Sequence, residues 1–107
     1  MKKAMVSYAD GKNYYVNFYY ANYLTKLNKE QVIDTLKKAS SDKNKIRSAK
    51  FVNRYVAFIK NNQKVLTSNE TISYLKEMKR MIYPNIAKSE DWKNVLVKIE
   101  LLIKANE

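Results

Sequence analysis

The chain has 107 residues, 46% of them apolar and 29% charged, and a net charge of +11 from 21 basic and 10 acidic residues. It contains no cysteine and no histidine, which excludes disulfides, thiolate or imidazole metal sites, cysteine nucleophiles and histidine-based triads. One glycine and one proline are too few for the glycine-rich phosphate loops of Rossmann and P-loop enzymes.

This size predicts a single domain over 1–107, large enough to take about two thirds of its unfolded surface out of water. No run of about 18 apolar residues is present, so no membrane span is expected. Residues 1–8 lack the apolar stretch of a secretory signal, and the expected location is the cytoplasm.

The first predicted element is a hairpin. Asp10-Gly11 lies between the β-prone runs 5–8 and 13–20, and glycine accepts the positive φ of a tight turn at no steric cost. On the second strand Tyr14, Val16, Phe18 and Tyr20 share one face, and Tyr15, Asn17 and Tyr19 share the other. Residues 21–27 form a connection that packs Tyr23, Leu24 and Leu27 on the core.

A helix follows, opened by Asn28 with Gln31 in capping-box spacing. Val32, Ile33, Leu36 and Ala39 form its buried stripe, and Ser40-Ser41-Asp42 ends it.

Residues 46–60 admit two readings. As strands, 46–52 and 55–60 flank Asn53-Arg54 as a two-residue turn, in a stretch dense in β-branched and aromatic residues. These strands would pair with the N-terminal hairpin, since an isolated hairpin is marginal in water. As a helix, Lys43, Arg47, Lys50 and Arg54 would fall within about 60° of arc. The strand reading is the favoured one.

Thr67 and Glu70 form a second capping box, opening a helix with Ile72, Leu75, Met78 and Ile82 on its buried stripe. Tyr83-Pro84 ends that helix, because the residue before proline is pushed out of the α region. Ser89-Glu90-Asp91 starts the last helix, with its acids at the positive end of the dipole. Trp92, Val95, Leu96, Ile99, Leu102 and Ile103 give it a wide apolar face. The short connection makes the last two helices antiparallel neighbours.

The expected fold is therefore α+β: a small antiparallel sheet, made of the N-terminal hairpin and strands in 46–60, packed on one helix, with two C-terminal helices. With 46–60 helical instead, it is mostly α behind one N-terminal hairpin.

Charge points to the function class. Segment 35–69 carries nine basic residues against one acid, Asp42, and holds +8 of the net +11. The nine are Lys37, Lys38, Lys43, Lys45, Arg47, Lys50, Arg54, Lys60 and Lys64, and they are the candidate phosphate-contacting residues. Lysine dominates, which favours backbone phosphate over base-edge reading. Six such contacts would give a slope of roughly −5 for log affinity against log salt.

Six tyrosines lie between Tyr8 and Tyr23, and Tyr15 and Tyr19, off the core face, are candidates for base stacking or a protein contact. Catalysis is not expected: Glu90 and Asp91 point to different sides of a helix, and Glu70 and Glu77 stand two turns apart. No cofactor and no metal are expected.

The richness in Lys, Asn, Ile and Tyr is what an AT-rich genome encodes, as in a low-GC bacterium or a phage or mobile element living in one. The sequence thus predicts a small non-enzymatic basic accessory protein that binds nucleic acid or a nucleoprotein through its central segment. The competing expectation is a protein-binding inhibitor of a host defence nuclease, of the anti-CRISPR type. A homodimer through 92–103 is a further expectation.

Overall fold

The computed structural model describes Tyr14, Phe18 and residues 27–107; among them every regular element is a helix and none is a strand. In chain order these are α1 (Lys29–Ser41), α2 (Lys43–Ile46), α3 (Ala49–Asn61), α4 (Ser68–Ile82), a 3-10 helix (Tyr83–Lys88) and α5 (Glu90–Ala105). The α+β expectation is overturned: the domain is all-helical among the described residues. Phe18, assigned to a strand, has helical backbone, and the rest of the hairpin over 5–20 lies outside the described residues.

The error sits in 46–60. Ser48, not a strand, precedes Ala49, and its side chain accepts from the backbone N–H of Phe51 at 3.4 Å. Burial then comes in adjacent pairs: Phe51 with Val52, Tyr55 with Val56, Phe58 with Ile59. Adjacent residues of a half-buried strand point to opposite faces, whereas pairs repeating every three to four residues line one side of a helix. Helix propensity penalises β-branched and aromatic residues by at most about 0.7 kcal/mol each. Burying each large side chain is worth about 1.5–3 kcal/mol, so packing wins. Asn53 and Arg54, assigned to a turn, are the polar side of α3.

The remaining helix boundaries agree with the sequence. Asn28 and Gln31 make a reciprocal capping box on α1, with Gln31 N–H donating to Asn28 Oδ1 at 2.8 Å and Asn28 N–H donating to Gln31 Oε1 at 3.0 Å. Thr67 and Glu70 do the same on α4, at 3.0 and 2.9 Å. α4 ends at Ile82 as expected, but not for the expected reason: Tyr83 keeps α-region backbone, φ −51° and ψ −42°, and the chain continues through Pro84 as the 3-10 helix. Replacing Thr67 by Ala strands an N–H of the first turn, and a urea melt is expected to show a loss of about 1 kcal/mol.

One core joins the five described α-helices. Val32, Leu36 and Ala39 of α1, Ile46 of α2, the six buried residues of α3, Leu75, Met78 and Ile82 of α4, and Trp92, Val95, Ile99, Leu102 and Ile103 of α5 pack together. Tyr14 and Phe18 close one end over α3: the Phe18 ring lies 5.1 Å from Phe58 and 5.4 Å from Phe51, and Tyr14 donates from its hydroxyl to Asp42 at 3.0 Å. α5 is the hub, packing on α3, α4 and the 3-10 helix. It folds back on α4, where Lys79 pairs with Glu100 at 3.0 Å. α5 runs parallel to α3: the first turns of both line one groove, Lys98 donates to Asn53 at 3.1 Å, and Gln63 donates to Asn106 at 3.0 Å.

Tyr55 and Thr71 are fully buried, and neither hydroxyl has a hydrogen-bond partner among the described residues. Burial pushes the Tyr55 phenol well above its ordinary range, with Tyr74 and Glu77 adding to the effect. An unpaired buried hydroxyl costs about 1–3 kcal/mol, so Tyr55→Phe is expected to leave stability unchanged or raise it by about 1 kcal/mol in a urea melt at pH 7. The pH dependence has a definite sign. Below about pH 10 the phenol is protonated in both states; above it the unfolded chain releases a proton that the folded one holds, so stability falls as pH rises. Tyr55→Phe removes that contribution, at most about 1.4 kcal/mol per pH unit.

Candidate functional site

The nine basic residues of 35–69 are distributed over three helices and a loop. Lys37 and Lys38 stand on α1 beside acids. Lys38 pairs with Asp34 at 2.9 Å, and Lys37 shares its surface with Glu30 and Asp34. Local negative charge therefore cancels much of their field.

From α2 onward the balance differs. α2 carries Lys43 and Lys45, and Arg47 is its C-cap. α3 carries Lys50, Arg54 and Lys60 and no acid. At 100° per residue, those three and the intervening Asn53, Ala57 and Asn61 occupy about 120° of arc, opposite the six buried side chains. Lys43, Arg47, Lys50 and Lys60 are exposed, and none forms an ion pair with any described residue. Arg54 and Lys45 are half-buried. Lys64 is exposed in the turn after α3.

The helical register also changes which cations belong together. A continuous helix over 43–60 would have aligned Lys43 and Arg47 with Lys50 and Arg54. The break at Arg47-Ser48 ends that alignment, and the cationic face is built from the outer side of α3 with α2 as its N-terminal shoulder. The parallel packing of α5 adds a cation that lies outside the central segment. Lys50, Asn53, Asp91, Asn94, Val95 and Lys98 line a groove of about 320 Å³ between α3 and α5. Lys98 stands 45 residues from the asparagine it contacts. No local sequence pattern could have found it; only the pairing of the two helices does.

Elsewhere the described cations divide: Lys76, Lys88, Lys93 and Lys104 are exposed and form no ion pair with a described residue, and three others are paired. Lys29 pairs with Glu70 at 3.0 Å, Lys79 with Glu100, and Arg80 with Glu77. The Glu70 carboxyl is held below its ordinary range first by the backbone N–H of Thr67 and then by Lys29. Its contribution is present above the ordinary carboxylate pKa and fades as pH falls through the depressed value.

Tyr15 and Tyr19 lie outside the described residues. Trp92, Val95, Ile99, Leu102 and Ile103 are buried within one copy, so a homodimer through 92–103 would have to use Leu96, Val97 and Leu101. Among the described residues no cluster of three carboxylates is placed to hold a metal, and no helix is long and apolar enough to cross a membrane. Scanned against protein-family models, curated proteins and solved structures, the chain matches none, so function is read from its own residues.

Proposed function

We propose that this is a non-enzymatic accessory protein that binds the phosphate backbone of nucleic acid through the outer face of α3 and the adjoining α2. The observation that carries this reading is the acid-free outer face of α3, with Lys50 and Lys60 exposed and paired with no carboxylate among the described residues, while Lys29, Lys79 and Arg80 are matched by carboxylates. An acid-free cationic face attracts a polyanion over a Debye length, about 8–10 Å at ordinary ionic strength. Lysine-rich contacts follow phosphate rather than base edges, so little sequence preference is expected. A cytoplasmic location, where nucleic acid is at hand, goes with this reading.

Fluorescence anisotropy with a labelled 12-base-pair duplex and a 12-nucleotide single strand, repeated from about 50 to 200 mM salt, tests the proposal. Four or five phosphate contacts give a slope of about −4 for log affinity against log salt. A flat salt dependence, or no binding at the lowest salt, ends it. Pull-downs with and without nuclease separate it from the inhibitor reading, which requires a protein partner that survives nuclease treatment.

A further inference from the structure

We infer that the groove between α3 and α5 is a discrete seat for a phosphate group, so that the cationic face has a defined centre at Lys50 and Lys98 and is not a uniform stripe. The inference rests on the proposed function for its macromolecular ligand, but it concerns a site with a chemistry of its own.

The groove's volume, about 320 Å³, is at the small end of what ligand sites occupy. Its polar lining is dominated by donors. Lys50 from the first turn of α3 and Lys98 from the middle of α5 both line it, together with Asn53 and Asn94. Lys98 Nζ donates to Asn53 Oδ1 at 3.1 Å. That contact engages the carboxamide's acceptor and leaves its Nδ2 as a donor. An ammonium has three N–H groups, so Lys98 keeps donors after making the contact.

The one carboxylate on the lining is Asp91, in the first turn of α5. There the positive end of the helix dipole offsets part of its charge. Two cations and two amide donors against one carboxylate select a compact, multiply accepting anion. A phosphate group has that chemistry, and charge-assisted hydrogen bonds to it are the strong ones. The group is either a phosphodiester of nucleic acid or the phosphate of a small molecule, and the two sources are separated by experiment.

The test compares Lys98→Gln with Lys104→Gln. Both positions are exposed on α5 and lose the same charge, and circular dichroism checks that both variants stay folded. With a labelled 12-nucleotide single strand, Lys98→Gln is expected to weaken binding about tenfold and Lys104→Gln less than about twofold. Equal, small losses overturn the seat and leave the α3 face standing as the nucleic-acid surface. The second arm titrates the isotope-labelled full chain with inorganic pyrophosphate. Saturable shifts of the Asn53 and Asn94 side-chain amides, lost in Lys98→Gln, are expected. If the single strand fails to bind but these shifts are present, the proposed function falls and the seat holds as a small-phosphate site. If the shifts are absent, the seat is overturned.

Discussion

Changing Arg47, Lys50 and Lys60 together to glutamine is expected to weaken binding of a 12-base-pair duplex by on the order of a hundredfold at 50 mM salt, and to flatten the salt slope by about 3. All three side chains are exposed and none forms an ion pair with a described residue, so fold stability should barely move. The matched control changes Lys29, Lys79 and Arg80 to glutamine. It removes the same net charge from positions already paired with carboxylates. Exposed ion pairs of that kind contribute about 0–1 kcal/mol each, so the control stays folded, and its affinity is expected to fall less than about threefold. Equal losses in the two triple variants would mean that overall charge, and not the face of α3, attracts the ligand.

The second large effect is on stability. Ile59→Ala removes a fully buried side chain from the last turn of α3 and is expected to cost about 2–5 kcal/mol by urea denaturation. That is a large part of the roughly 5–15 kcal/mol available to a domain of this size. Ala57→Gly, on the exposed side of the same helix, is expected to cost only about 1 kcal/mol, the helix-propensity difference. The pair tests the register directly. On the strand reading, residues 57 and 59 share a face and should respond alike. In α3 they lie on opposite sides.

The contrast between α3 and the other helices shows where the sequence was informative. α1 and α4 announce themselves through their capping boxes, Asn28 with Gln31 and Thr67 with Glu70, because capping is local chemistry between residues three apart. The position where α4 ends was legible from Pro84, although Tyr83 keeps α-region backbone and the chain runs on as a 3-10 helix. In α3 two signals compete: the β-preference of Val52, Val56, Ile59 and their aromatic neighbours favours strands, and their spacing favours a helix. The spacing was present all along: Lys50, Asn53, Arg54, Ala57 and Lys60 recur at helical intervals on the exposed side, and Ser48 supplies a cap. The cationic segment was visible as composition, but its geometry was not. Asp34 stands at i,i+4 spacing from Lys38 in a helix the capping box already announces, whereas Lys98 enters the site only through the parallel docking of α5 on α3.

The most direct measurement is a backbone amide titration of the isotope-labelled chain with a 12-base-pair duplex at low salt. Shifts are expected over 47–61 and around Asn94 and Lys98, with the outer surfaces of α1 and α4 unmoved. Shifts confined to α1 and α4, or a spectrum unchanged by an excess of duplex, would contradict the assignment of the α3 face as the nucleic-acid surface.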